Sequence, residues 1–157
     1  MGVDIYGIGA QETTGEYFAN NWWSWRPIVM LIDVLNKEYQ IGIPDEEIES
    51  LDTNSNMGIS SPEHCARLAD LLDEYVGYMR LMDYDTVYLN AQYWHSQDNV
   101  RVFGRTLTKL MELVPYGLLF VLPVIDGVTY KSNYATSVDN ISRFAEFVRN
   151  CNGFKVN

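Results

Sequence analysis

The segment from Pro62 to Met79 constrains the fold more than any other, because its apolar residues recur at helical spacing. Ser60 and Glu63 form a capping-box pattern in front of it, and Pro62 suits the first turn of a helix. The large side chains that share one stripe are Leu68, Leu71, Leu72, Tyr75, Val76 and Met79. An amphipathic helix has to bury such a stripe, so we expect a packed core and not a disordered chain.

Two further segments show the same periodicity and predict two more long helices. The first begins near Ser24 or Arg26, has Pro27 in its first turn and ends at Gly42. Its stripe consists of Trp25, Ile28, Val29, Ile32 and Leu35. The second begins after Ser137, which suits an N-cap. Its stripe consists of Ile141, Phe144, Ala145, Val148 and Cys151, and Gly153 follows as the C′ residue.

Shorter signals predict the remaining elements. Asp126-Gly127 lies between two β-prone runs and predicts a hairpin over 118–131. Short strands are expected at 3–7, 86–89 and 154–156, a short helix at 45–51, and a longer helix after Asp98. Together these elements predict an α+β fold, one domain over residues 1–157 with four or five helices packed on a small antiparallel sheet. A mostly helical bundle with one hairpin is the alternative.

Charge excludes some classes of partner. The 157 residues carry 11 Lys and Arg against 21 Asp and Glu, for a net charge of −10. Such a chain is unsuited to general binding of nucleic acids or of anionic membranes, which attract basic surfaces. The acids concentrate in residues 45–85, where 11 of them face only Arg67 and Arg80. This block is either a solvated face or a surface shaped for a basic partner.

Cysteine content and hydropathy indicate where the protein works. Cys65 and Cys151 are too few for a disulfide scaffold, and both are expected to be free and buried. The longest uncharged run has 13 residues, fewer than the roughly 20 that a spanning helix needs. With no secretory leader in the sequence, we expect a cytoplasmic protein.

A cluster of aromatic residues is the first candidate binding site. Three of the four tryptophans fall within 22–25, beside Arg26. On one helical turn they cannot all point the same way, so at least one is expected to be partly exposed. Trp25 is assigned to the core, whereas Trp22 and Trp23 fit either a binding surface or the alternative, a helix start that the large side chains pin into the core with Asn20 or Asn21 as its cap. Tyr, Trp and Arg are the usual anchors of protein interfaces. With the acids on the outer face of the 62–79 helix, the predicted partner-binding residues are Tyr17, Trp22, Trp23, Arg26, Asp70, Asp73 and Glu74.

A cationic stripe gives an alternative site for a small ligand. Arg101, Arg105 and Lys109 recur at spacings of four on the helix predicted after Asp98. They suit a phosphate group, while the tryptophans stack on a base, as a nucleotide signal would require. A solvated helix face is the other interpretation.

The segment from Asp52 to Glu63 resembles the calcium loop of an EF-hand. Its candidate oxygen ligands are Asp52, Asn54, Asn56, Ser60 and Glu63. Two features depart from that motif: Met57 replaces the glycine at position six, and Pro62 stands at position eleven. The alternative is an ordinary helix–loop–helix connection with Asn and Ser turns. Calcium is the one candidate cofactor, and otherwise none is expected.

Three segments also resemble a family of small proteins of bacteria and their phages, to which no activity is attached. The matching segments are the opening 1–7, residues 15–27 with the N-x-W-x-W-RP pattern, and the ending 144–154 with F-x-x-F-x-R-x-x-x-GF. The region 54–69 matches as well, whereas the middle of the chain matches poorly. The resemblance implies one domain whose two ends meet, and it supplies no catalytic residue.

These features favour a non-enzymatic binding protein. No phosphate-cradling glycine loop, nucleophile elbow or zinc spacing is present in the sequence. The leading hypothesis is a phage counter-defence inhibitor that engages a basic surface of a host protein through its acidic face. The expected partner is therefore a protein, with no direct contact to nucleic acid or membrane.

Overall fold

Four α-helices and seven short strands make up the described part of the chain. The computed structural model describes residues 2–81, 83–88 and 134–157, and also the backbone of two strands between 124 and 129. The helices are α1 Trp22–Tyr39, α2 Asp45–Ser50, α3 Pro62–Leu81 and α4 Val138–Cys151. The strands are β1 Gly2–Gly7, β2 Tyr17–Asn21, β3 Thr86–Tyr88, β4 Val124–Ile125, β5 Val128–Thr129, β6 Ala135–Ser137 and β7 Phe154–Val156. The α+β prediction is confirmed.

The main sheet joins the two ends of the chain. Its strand order is β2-β1-β7, with both pairs antiparallel. Ile5 of β1 lies opposite Phe18 on one side and Val156 on the other, and all three side chains face the core. Backbone hydrogen bonds between Asp4 and Asn157 of 3.1 and 2.7 Å extend the pairing. The final strand predicted at 154–156 is confirmed, and the two ends of the chain meet.

Two smaller antiparallel pairs complete the strands. β4 pairs with β5 in the register Ile125 to Val128, so the antiparallel pair expected on either side of Asp126-Gly127 is present. The other residues of the hairpin predicted over 118–131 lie outside the described residues. β3 pairs with β6, so the strand expected at 86–89 is present. Its partner β6 was not predicted from the sequence. The helix predicted after Asp98 lies outside the described residues.

One hydrophobic core lies between the sheet and the long helices. Every residue of the three predicted apolar stripes is buried. At its centre the ring of Phe144 lies 5.2 to 6.1 Å from four other aromatic rings, those of Trp25, Phe18, Phe154 and Phe147. The helices cover the inner face of the main sheet, as expected of a single α+β domain.

The start of α1 differs from the prediction. The helix begins at Trp22, because the side chain of Asn21 accepts a hydrogen bond of 3.0 Å from the backbone N–H of Ser24. The start predicted near Ser24 or Arg26 is therefore two to four residues late, whereas the cap at Asn21, one of the two named in the alternative for the aromatic cluster, is present. Pro27 lies in the second turn instead of the first, and it cannot donate the hydrogen bond that the Trp23 carbonyl would otherwise accept.

Two other helix ends also differ in detail. α1 ends at Tyr39, three residues before Gly42, and the side chain of Asn36 bonds the backbone of Gly42 and Ile43 beyond it. Before α3, the hydroxyl of Ser61 accepts from the N–H of His64, whereas the predicted cap Ser60 bonds elsewhere. Asn36 thus holds the loop that follows α1, and Ser61 caps the first turn of α3.

The end of α4 and the cysteines agree with expectation. Asn152 adopts the left-handed conformation and Gly153 follows with φ of +101°, the C′ position predicted for it. Cys65 and Cys151 are free and buried. Within the described ranges, no helix combines the length and the apolar character that crossing a membrane requires.

Truncation of Phe144 to alanine is expected to destabilise the protein by about 3–5 kcal/mol, because it removes a buried ring and leaves a cavity among four others. Chemical denaturation monitored by circular dichroism measures this change. Glu146→Ala, on the exposed face of the same helix, should stay within about 0.5 kcal/mol of the wild type. Similar losses from both variants would contradict a core centred on Phe144.

Candidate functional site

A groove rich in aromatic side chains lies beside the first turn of α1. Its volume is about 520 Å³. Three parts of the chain form it: the start of α1, the loop after α2 and the residue that precedes β6. The lining residues, which we call the aromatic groove, are Trp22, Trp23, Arg26, Asp52, Thr53, Asn54 and Tyr134.

Helical geometry separates the groove residues of α1 from its core residues. At about 100° per residue, Trp22, Trp23 and Arg26 fall within an arc of about 100° on one side of the helix. Trp25 lies about 60° outside this arc and is completely buried. Its indole Nε1 donates a hydrogen bond of 2.8 Å to the carbonyl of Leu51. This bond holds the loop after α2 against α1, so that Asp52 arrives beside Arg26.

Arg26 connects the three parts of the groove. Its Nε lies 3.1 Å from Asp52 Oδ1, and its Nη1 donates a hydrogen bond of 2.7 Å to the hydroxyl of Tyr134. The guanidinium carbon lies 5.6 Å from the ring centre of Trp22 and 5.0 Å from that of Tyr134. Both distances are within the range of cation–π attraction. The groove therefore already holds one guanidinium among two aromatic rings and a carboxylate.

Trp23 is exposed but held in place. Its side chain is 55% exposed, the most of any aromatic residue among the exposed large side chains of the described part. One face of its ring stacks on Tyr134 at a centroid distance of 4.7 Å and an angle of 27°. More than half of the residue's surface is nevertheless exposed to solvent. Trp25 is buried as expected, and the two positions left open differ from each other: Trp23 is exposed, whereas Trp22 is half-buried and packs against the core.

Tyr134 is a groove residue that the sequence analysis missed. It contacts Trp23 and Arg26, which lie more than one hundred residues earlier in the chain. No local motif surrounds it, since its neighbours form no periodic pattern before the Ser137 cap. Only the return of the chain towards α1 through β6 brings it to the groove.

Acidic residues are concentrated in the segment of the chain that leads into the groove. Burial raises the pKa of Asp52, and the hydrogen bond and charge of Arg26 oppose that rise. Within the groove the two formal charges cancel. Residues 45–52, which lead into it, hold five acids and no base: Asp45, Glu46, Glu47, Glu49 and Asp52. The segment that leads into the groove is therefore strongly acidic.

Part of the predicted acidic face is neutralised within the protein. On α3, Asp70 and Asp73 form ion pairs of 2.9 and 2.6 Å with Arg149 of α4. These carboxylates raise the pKa of the Arg149 guanidinium. Glu74 is exposed beside them. None of the three acids lines the aromatic groove, so the structure does not unite them with the tryptophans.

Tyr17 lies at the far end of β2 from the groove. It lies four positions before Asn21 along the strand, a distance of about 14 Å. Its ring packs on Tyr6 with centroids 5.3 Å apart, and its hydroxyl donates a hydrogen bond to Asp4. That bond raises the pKa of Tyr17. Tyr17 and the groove are therefore two separate aromatic surfaces.

Two of the five candidate calcium ligands have other side-chain partners in the structure. Asp52 pairs with Arg26, and the hydroxyl of Ser60 donates to Glu47 at 2.7 Å. Met57 pairs with Val156 of β7, which draws the middle of the loop along the sheet edge. Asn54, Asn56 and Glu63 are exposed. No group of three His, Cys, Asp or Glu side chains in the described ranges is arranged to hold a metal ion. Calcium binding stays a prediction.

The alternative phosphate site of Arg101, Arg105 and Lys109 lies outside the described residues. The groove itself offers aromatic faces, one ion pair, a hydroxyl and an amide, which are groups suited to binding. No family model, curated protein or solved structure matches the chain. The groove must therefore be interpreted from its own chemistry.

Removal of the Arg26 charge is expected to raise the pKa of Asp52 further, because burial then acts without its opposing partner. Carbon-13 titration of the carboxyl in wild type and Arg26→Gln measures this shift. Lys37→Gln, which removes an exposed cation from the other end of α1, should leave Asp52 unchanged. A fall in the pKa of Asp52 in Arg26→Gln would contradict the pairing.

The same shift has a consequence for stability. Because folding raises the pKa of Asp52, the folded state binds the proton more tightly than the unfolded state does. Protonated Asp52 therefore adds to the free energy of unfolding, and this contribution is complete below the ordinary pKa of aspartate. That contribution is lost as the pH rises through the raised pKa.

Proposed function

We propose that the protein is a non-enzymatic binding protein and that the aromatic groove is its partner site. The observation that carries this proposal is Trp23, which is 55% exposed although its ring is fixed against Tyr134. A large aromatic ring in water gains free energy when a partner covers it. Trp, Tyr and Arg are also the residues that most often dominate binding energy in interfaces.

The fixed position of the ring favours tight binding. An interface side chain that is mobile before association loses rotamer entropy on binding, which lowers the affinity. Trp23 is stacked on Tyr134, and Tyr134 is bonded through its hydroxyl to Arg26. Because these contacts already exist in the free protein, a partner meets an ordered surface.

A protein partner is better supported than a nucleotide. Arg26 directs its Nε and Nη1 donors to Asp52 and Tyr134, and the carboxylate of Asp52 repels a phosphate placed beside it. The acids of α2 add to that repulsion. The geometry therefore favours a partner with a basic or neutral surface over an anionic ligand.

We further propose that this partner is a basic, nucleic-acid-binding surface of a bacterial host protein, and that the protein is a counter-defence inhibitor in the cytoplasm. The support is the net charge of −10 together with the resemblance to phage proteins. Opposite charges accelerate association and make it sensitive to salt. The acidic charge equally disfavours direct binding to nucleic acid.

Substitution of Trp23 by alanine is expected to weaken partner capture by at least about tenfold, the loss typical of an interface hot spot. The measurement is affinity capture from a bacterial lysate at low and high salt, with quantification of each retained protein. Tyr17→Ala is the matched control, since Tyr17 is 48% exposed but belongs to the other aromatic surface.

Circular dichroism melting must first show that both variants fold. Capture that survives Trp23→Ala but is lost in Tyr17→Ala would move the partner site to the sheet face. Absence of any partner at low salt would argue against the proposal as a whole.

A further inference from the structure

We infer that the aromatic groove accepts an arginine side chain of the partner protein, stacked on the solvent-facing side of the Trp23 ring. This inference rests on the proposed function, because it assumes that the groove is the partner site. It adds the chemical class of the residue that the groove recognises.

Arg26 shows that this environment is suited to a guanidinium. Its planar head lies 5.6 and 5.0 Å from two ring centres and 3.1 Å from a carboxylate oxygen. The aromatic rings attract the positive charge through their faces, and the carboxylate accepts a charge-assisted hydrogen bond. A second guanidinium, bound next to Arg26 on the solvent side of the groove, would again have an aromatic ring and a carboxylate as neighbours. The aromatic ring would be that of Trp23 in place of Trp22, and the carboxylate that of Asp52.

The carboxylate of Asp52 lines the same groove as Trp23 and can accept hydrogen bonds from that second guanidinium. Asp52 uses Oδ1 to bind Arg26, and its Oδ2 receives no hydrogen bond from the described residues. Glu49 is exposed and precedes Asp52 by three residues, so their Cα atoms are at most about 11 Å apart. Arg26 neutralises one carboxylate, which leaves the acids of α2 to attract an incoming cation.

Arginine suits these groups better than lysine. Its planar guanidinium stacks on an aromatic face while its N–H groups reach acceptors in the same plane. The lysine ammonium is a compact and strongly hydrated charge, which stacks less well. An anionic residue would face both Asp52 and the acids of α2, so the groove is expected to reject it.

Defined peptides test the inference without knowledge of the natural partner. The probe is a nine-residue peptide with arginine at every third position among glycine and serine. Matched peptides carry citrulline, which has the same shape without the charge, or lysine, or glutamate. Nitrogen-15 NMR follows the indole N–H signal of Trp23, which is identified by its loss in Trp23→Phe.

We expect the arginine peptide to shift the Trp23 signal and to bind about fivefold more tightly than the citrulline peptide. The lysine peptide should fall between them, and the glutamate peptide should leave the signal unchanged. Glu49→Gln should weaken the arginine peptide by about twofold, whereas Glu74→Gln, an exposed acid of α3 outside the groove, should not.

Equal binding of the arginine and citrulline peptides, or no shift of the Trp23 signal with arginine, overturns the inference. A shift caused by a nucleotide instead would assign the groove to an anionic ligand. The two proposals fail in different ways. If Trp23→Ala still captures the cellular partner, the groove is not the partner site. If that variant loses the partner and the peptides show no preference for charge, only the arginine inference fails.

Discussion

The indole of Trp25 is the constraint on which both the core and the groove depend. A buried indole N–H needs a hydrogen-bond partner, and that of Trp25 reaches the carbonyl of Leu51 at 2.8 Å. Its ring meanwhile packs edge-on against Phe144 at the centre of the core. One side chain thus fills the core and fixes the loop after α2. Because Asp52 follows Leu51 directly, the same bond delivers the carboxylate that holds Arg26.

The charges of the protein have two different environments. On α3, Asp70 and Asp73 are paired with Arg149, so they tie that helix to α4 and present less net charge to solvent. Exposed pairs of this kind contribute little to stability, although they reduce the attraction for an external cation. The acids of α2 take part in none of the ion pairs formed among the described residues. The segment that leads into the aromatic groove therefore retains acids without an ion pair to the described residues, whereas two acids on the face of α3 are paired.

Most of the fold was predictable because helical periodicity reports which side chains are buried. The stripes of α1, α3 and α4 were all found in the core, and the Asp126-Gly127 signal located a real strand pair. The groove was predictable only in part. Trp22, Trp23 and Arg26 share one helical turn, whereas Tyr134 comes from a distant segment. Likewise, nothing local indicates that Arg149 pairs with Asp70 and Asp73, more than seventy residues away.

The groove depends on where α1 begins, which is at Trp22 and not at the predicted Ser24 or Arg26. If the helix began at Ser24, Trp22 and Trp23 would lie in a loop, with no fixed spacing to Arg26. Instead Asn21 is both the last residue of β2 and the N-cap of α1, so the strand enters the helix without a connecting loop. β2 is held in register by β1, with Gly2 opposite Asn21. The sheet that joins the chain ends therefore also sets the rotation of α1, and this rotation turns Trp25 inward and the groove residues outward.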